Sequence, residues 1–153
     1  MYAVLPELLV KTQVVHITGK TGTESSYPRF SEKLIGRYRT FEFLGPELAD
    51  IYTIADLAVS RAGSGAIFEL LAAKIPMLLV PLPKTASRGD QIENARIFEK
   101  HGWAEVYDQD APSPAAFFTQ ISRLLDDKKL RAHMTKNQST ADFSNAAEKI
   151  AEA

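Results

Sequence analysis

The chain contains no cysteine. That excludes a disulfide framework, thiolate metal sites and a cysteine nucleophile, and it fits a reducing compartment. Excess charge is almost absent as well: 18 Lys and Arg stand against 19 Asp and Glu, a net charge of −1 at pH 7. Near-neutrality removes the broad electrostatic case for nucleic acid, which shows as a basic domain or stripe. There is no long hydrophobic run. The most apolar stretch, residues 75–83, holds three prolines and is far too short to span a bilayer. The first residues carry no basic region and meet a charge at Glu7, so no signal peptide is read there. What is present is 153 residues, 45% hydrophobic and 24% charged, which suits one domain with a real core and argues against wholesale disorder. The first expectation is a soluble intracellular domain spanning residues 1–153.

Short β-like runs alternate with longer helical ones. Residues 14–17, 40–44, 57–60, 77–80 and 104–107 are the strand candidates, and 57–60 and 77–80 are apolar throughout, as strands covered on both faces should be. Pro46 fits the first turn of a helix running to Ala55, and a second helix opens at Ser64 or Gly65 and stops before Pro76. Asp90 with Glu93 reads as a capping box, and His101 with Gly102 as a helix stop. Ser113 and Pro114 start a helix in which Phe117, Phe118, Ile121, Leu124 and Leu125 recur at helical spacing. Residues 141–153 read as a surface helix. The alternation implies an α/β fold: a parallel, Rossmann-like sheet flanked by helices, with right-handed crossovers. The helix-like opening, residues 2–9, has no strand before it. The expected sheet therefore lacks its first strand, together with the glycine-rich turn that carries phosphate in such folds.

Several groups could carry chemistry. Gly19, Lys20 and Thr21 suggest a P-loop, but the glycine required five positions before Gly19 is Val14, so that reading fails. A short loop after a parallel strand can still hold phosphate through its N–H groups and Thr18 or Lys20, or be only a solvated connection. Residues 60–65, including Ser64 and Gly65, link a buried strand to a helix start at the ligand-binding edge of the sheet; the alternative is a tight turn that needs glycine. Glu69 sits in a segment apolar nearly all round. A carboxylate in a largely buried helix needs a partner or a ligand; sugar hydroxyls, a salt bridge to Lys or Arg, and an exposed stripe on a half-buried helix all stay open. Asp90, Gln91 and Asn94 follow the most apolar strand. They offer either the donors and acceptors a polyhydroxylated ligand requires or only a cap and solvated surface. His16 reads as a satisfied histidine in an apolar strand, His101 as a helix C-terminal residue, His133 as part of a polar tail, and Arg29, Lys33, Arg37 and Arg39 as a solvated basic face. No metal-ligand spacing is present.

These residues converge on a family. The segment from Val15 to Lys20, then Phe43 and Leu44, Ala55 and Asp56, Ser60 through Gly63 to Glu69, and Asp90, Gln91, Asn94 and Ala95 resemble, in order, the MurG type of lipid-linked N-acetylglucosaminyltransferase of bacterial peptidoglycan synthesis. The resemblance covers essentially the whole chain and corresponds to most of the C-terminal, donor-binding half. It implies a GT-B glycosyltransferase, whose active site lies in the cleft between two Rossmann-like domains. It also implies UDP-N-acetylglucosamine as ligand, with Phe43 and Leu44 against uracil and Glu69 on the ribose hydroxyls. Thr18, Gly19, Ser64 and Gly65 would sit near the diphosphate, and Asp90, Gln91 and Asn94 on the sugar. Where the best-known members carry paired glutamines, this chain has Asp90 and Gln91.

The resemblance further implies an inverting displacement whose base lies in the N-terminal half, so no catalytic residue, metal or cofactor is expected in this chain. The expected domain is N-terminally truncated and inactive alone. Its partners would be UDP-N-acetylglucosamine and a missing acceptor domain or separate chain, with a lipid-linked acceptor reached through that half at the inner face of the plasma membrane. Nucleic acid is not an expected partner. The unpaired cleft surface is expected to encourage self-association. Two rivals stand beside this reading: the donor subunit of a split transferase, and a non-catalytic nucleotide-sugar binding module. A GT-B epimerase is a more distant one.

Overall fold

The structure, a computed structural model, describes residues 2–20, 30–107 and 113–141. A 3-10 turn at Tyr2–Val4 leads into α1 (Leu5–Lys11), followed by β1 (Val14–Ile17), α2 (Glu32–Ile35), β2 (Tyr38–Phe41), α3 (Leu48–Ile54) and β3 (Ala58–Ser60). The second half continues with α4 (Ser64–Ala72), β4 (Met77–Leu79), α5 (Asp90–Lys100), β5 (Ala104–Val106), α6 (Pro114–Asp126) and α7 (Lys128–Gln138). The strands form two parallel groups that are not hydrogen-bonded to each other: β1 beside β2, with Val14 opposite Tyr38, and the order β3–β4–β5, with Ala58 opposite Met77 and Met77 opposite Ala104.

Burial explains the order of elements. β4 is buried along its whole length, as the centre of a sheet covered on both faces requires. On one face Met77 and Leu79 pack with Ile67, Leu70 and Leu71 of α4 and with Ala95 and Phe98 of α5. On the other, Leu78 packs with Ile121 and Leu124 of α6, Met134 of α7, and Val4 and Leu8. The next residues of α1 turn elsewhere: Leu5 and Leu9 pack with Tyr38 of β2, with Val14 of β1 against them. α1 thus bridges the two sheets, the place of a crossover helix that joins β1 to a strand lying between β1 and β3. Among the described residues no strand occupies that place.

The ends of the helices follow local chemistry. The Ser113 hydroxyl accepts from the Ala116 amide and Asp127 caps α7, as good N-caps do. α4 stops in a Schellman arrangement, Ile75 N–H to Leu70 C=O and Lys74 N–H to Leu71 C=O, which puts Lys74 at φ +56°. Gly102 takes φ +67° just after α5, as the expected stop requires.

Several expectations are corrected. The second strand is Tyr38–Phe41 rather than residues 40–44, because Phe43 and Leu44 have left the ladder. α3 begins at Leu48, and Pro46 sits in the turn before it, with the Leu48 amide on the Gly45 carbonyl. His133 belongs to α7, not to a polar tail. Its neighbour Arg131 donates to the Leu124 and Leu125 carbonyls and so satisfies the end of α6. Arg37 is exposed, as a solvated face requires, but it also donates to the Leu9 and Val10 carbonyls at 2.8 and 2.9 Å and closes the end of α1. Arg29 and residues 142–153 lie outside the described residues, and with them the helix expected over 141–153. No helix among the described residues is long and apolar enough to cross a membrane.

Candidate functional site

The candidate residues sit on the loops that leave the C-terminal ends of β1 and β2 and in the first turns of α4 and α5, which follow β3 and β4, where a parallel α/β sheet presents ligands. After β1, Gly19 turns at φ +67° with open space where a side chain would lie. The expectation that this loop offers its N–H groups to phosphate is not met at two positions. The Thr18 amide donates to the Phe41 carbonyl at 2.9 Å and the Gly19 amide to the Glu42 carbonyl at 3.1 Å, extending the ladder with β2. The Thr18 hydroxyl, also turned to the Phe41 carbonyl at 3.3 Å, and the exposed Lys20 remain as polar groups there. His16, one turn of strand earlier, is half-buried and meets the Tyr38 hydroxyl at 2.9 Å, a satisfied histidine as expected. Burial holds its pKa below the usual imidazole value.

After β2 the chain turns outward. The Phe43 ring is 80% exposed, an unusual state for a phenylalanine without a partner surface. With Phe41, Leu44, Glu47, Asp50 and Ile51 it lines an open concavity against α3. Leu44 makes no backbone hydrogen bond to another described residue.

α4 is amphipathic rather than buried all round. Ile67, Leu70 and Leu71 are its buried residues, and Phe68 and Glu69 are exposed. The argument that Glu69 is a costly buried carboxylate therefore does not hold. The carboxylate is nevertheless held: the Tyr52 hydroxyl of α3 donates to Glu69 Oε2 at 3.3 Å. Burial, then the charge and hydrogen bond of Glu69, push the Tyr52 phenol above its usual pKa, so it stays a protonated donor at neutral pH. The N-terminus of α4 is bare. Gly63 is the N-cap without a side-chain bond, and the Ser64 and Gly65 amides donate to no described residue. Bare N–H groups at a helix start favour an anion.

α5 starts differently from the capping box expected of Asp90 and Glu93. The N-cap is Gly89 at φ +95°, with no side-chain cap, and the Glu93 amide bonds to the Gly89 carbonyl. Asp90 is thereby left exposed in the first turn. Gln91 and Asn94 are not merely solvated. Gln91 Oε1 accepts from the Leu82 amide at 3.1 Å, and Asn94 Nδ2 donates to the Ala62 carbonyl at 3.1 Å. The Asn94 bond, with Arg61 Nη1 on the Val80 carbonyl at 3.0 Å, ties the β3–α4 loop to the end of β4 and to α5, while the Gln91 bond braces the β4–α5 loop against its own helix. They also fix amide orientation: Gln91 keeps its donor end free, and Asn94 its acceptor end.

The structure thus joins Phe43, Leu44 and Glu69 through α3, and Ser64, Gly65, Gln91 and Asn94 through the stapled loops. Tyr52 was missed in the sequence because Leu48, Ile51, Tyr52 and Ala55 share a helical stripe, which reads as core. No cluster of three or more metal-ligating side chains occurs among the described residues.

Parallel strands flanked by helices, with helix starts and small-residue loops at one edge, define the class: a Rossmann-like α/β domain of the kind that forms the C-terminal half of GT-B glycosyltransferases. The crystal structure of Acinetobacter baumannii MurG matches 98% of this chain at a TM-score of 0.74, with 22% identity and 43% of that chain covered. The family described as "Glycosyltransferase family 28 C-terminal domain" matches residues 2–150, and the chain belongs to it. Among curated relatives, the UDP-N-acetylglucosamine–N-acetylmuramyl-(pentapeptide) pyrophosphoryl-undecaprenol N-acetylglucosamine transferase of Geobacillus thermodenitrificans is 45% identical over 141 residues, covering 90% of this chain and 38% of that protein. The similarly named transferase 3 of Bacillus thuringiensis is 51% identical over 107 residues, 69% of this chain and 29% of that protein. The chain therefore spans well under half the length of these relatives.

Proposed function

We propose that this chain is the UDP-N-acetylglucosamine-binding half of an inverting N-acetylglucosaminyltransferase of peptidoglycan synthesis. The observation that carries the reading is the arrangement around α3. One helix supplies Ile51 to the wall of the Phe43–Leu44 concavity and, through Tyr52, holds the Glu69 carboxylate, so α3 links an apolar platform to an acceptor for hydroxyls. A nucleoside asks for that pair: a base to stack and a ribose diol to accept from. The bare start of α4 at Ser64 and Gly65 serves the diphosphate, with the Thr18 hydroxyl and the open space over Gly19, rather than their engaged amides, as the contribution of the β1 loop. Asp90, the Gln91 donor end and the Asn94 acceptor end serve the sugar.

In the reaction so proposed, an acceptor hydroxyl oxygen attacks the anomeric carbon from the face opposite UDP. The bond from that carbon to the diphosphate breaks as the new one forms, and the hydroxyl proton passes to a base outside this chain. The N–H groups at the α4 start stabilise the negative charge that develops on the departing diphosphate. This chain binds and orients the donor and stabilises the leaving group. It transfers nothing alone, because the acceptor half, whether on the same polypeptide or a separate one, supplies the base. The single domain over residues 1–153 then works in the cytoplasm at the inner membrane face, where a lipid-linked acceptor is presented, and its unpaired cleft face favours self-association.

Calorimetric titration of the chain with UDP-N-acetylglucosamine, with UDP-glucose and GDP-mannose as controls, tests this. Preferential binding of the first ligand, weakened about tenfold or more by Glu69→Ala, is expected. Equal response to all three ligands, or none from a folded chain, refutes it.

A further inference from the structure

Resting on that reading of the site, we propose that Tyr52 is a positioning residue for ribose recognition, fixing the Glu69 carboxylate so that its second oxygen faces the hydroxyls of the ligand. Glu69 is an exposed glutamate one turn into α4, and an exposed glutamate samples several rotamers, each of which aims its oxygens differently. A carboxylate that must accept two hydroxyls at once loses affinity in proportion to the time it spends elsewhere. The Tyr52 hydroxyl reaches Oε2 at 3.3 Å and leaves Oε1 without a partner among the described residues.

Tyr52 is suited to this because it is anchored. Its ring packs against the core cluster built from Ile67, Leu70 and Leu71, so the hydroxyl stands at a fixed height beside α4. The phenol also remains protonated, since burial and the adjacent Glu69 charge disfavour the phenolate. α3 carries Ile51 on the wall of the Phe43–Leu44 concavity and Tyr52 next to it in sequence. The base platform and the ribose acceptor are thus spaced by one rigid element, and a ligand that stacks on Phe43 finds the carboxylate already aimed.

The test uses UDP and 2′,3′-dideoxy-UDP, which lacks both hydroxyls, titrated against the unmodified chain, Tyr52→Phe and Glu69→Gln. Tyr52→Phe keeps the ring and its packing. The expected result is a three- to tenfold loss of UDP affinity in Tyr52→Phe with dideoxy-UDP affinity unchanged, and a larger loss, again confined to UDP, in Glu69→Gln. Equal weakening of both ligands in Tyr52→Phe would mean that the ring only supports the fold, and overturns the proposal. UDP binding sensitive to Glu69→Gln but not to Tyr52→Phe overturns the positioning role and leaves the site reading standing. UDP binding insensitive to Glu69→Gln, or absent in the unmodified chain, removes both. A ligand-free readout accompanies these: the Tyr52 ring carbon, followed by NMR against pH, should titrate lower in Glu69→Gln than in the unmodified chain, and an unchanged midpoint overturns the contact itself.

Discussion

Replacement of Gln138 by leucine should be among the most damaging single changes outside the candidate site. Gln138 ends α7 at 2% exposure, and its Nε2 donates to both the Ile75 and Trp103 carbonyls at 2.8 Å. Those carbonyls stand just before β4 and β5, so one side-chain amide ties the last helix to two adjacent strands. Leucine removes both donors and leaves two enclosed carbonyls unpaired, at about 1–3 kcal/mol each. It also removes Gln138 Oε1, which is buried without a partner, and that recovers about 1 kcal/mol. The net cost is about 3 kcal/mol, against a total stability of about 5–15 kcal/mol for a domain. In urea, with a slope of about 1.5–2 kcal/mol per molar, the midpoint should fall by about 1.5–2 M. The single tryptophan reports it directly, because Trp103 Nε1 donates to the Asn137 carbonyl and its ring stacks on His101 at 4.5 Å. Gln138→Glu sharpens the test. An ionised glutamate has no proton to donate and faces two carbonyl oxygens, which raises its folded pKa above about 4.3. Its stability deficit should therefore shrink as pH falls through that raised value, where a protonated acid regains one donor. A midpoint shift below about 0.3 M for leucine, or a glutamate deficit indifferent to pH, would refute the reasoning.

Two further outcomes are expected. Lys74 holds φ +56° at the end of α4, a conformation glycine adopts without penalty, so Lys74→Gly should stabilise by about 0.5–1 kcal/mol and raise Tm by about 1–4 °C; a lower Tm would contradict this. The folded pKa of His16 is depressed by burial, so the unfolded chain takes the proton first as pH drops below about 6.5. Stability at neutral pH is then lost through the window between that value and the lower folded one, and His16→Gln should flatten this part of the pH profile in urea titrations. An identical slope in the variant would show that another group is responsible.

The alternation of strands and helices was legible because β4 has no polar position and α6 has a strong apolar stripe closed by a serine cap. Those are local signals, and local signals survive without tertiary context. β2 was misplaced because Thr40 to Leu44 is as β-prone as Tyr38 to Phe41, and only the ladder with β1 decides where pairing stops. α7 was overlooked because its eleven residues are mostly polar or charged, and its buried positions are Met134 and Gln138 alone. At the site, the candidate residues came from the sequence and the resemblance, but the local bonds each of them makes did not. That Asn94 ties α5 to the β3–α4 loop, or that the Gly19 amide is already engaged, depends on the Ala62 and Glu42 carbonyls, which lie far away in the chain. Glu69 taught the opposite lesson: counting apolar neighbours along α4 implied burial, while the helix exposes the stripe that holds both Phe68 and Glu69.

α1 acts as a mechanical strut. Seven residues long, it grips the β3–β4–β5 group through Leu8, with Val4 beside it, and the β1–β2 group through Leu5 and Leu9. Arg37 clamps its far end to β2. The loop after β1 and the loops after β3 and β4 hang from different sheets, and among the described residues α1 and the 3-10 turn before it join the two, so their alignment depends on how this segment is seated. A rotation of α1 too small to expose any of its leucines would still change the gap between Thr18 on one side and Ser64 on the other. The relative placing of those loops thus depends on core side chains that belong to neither of them.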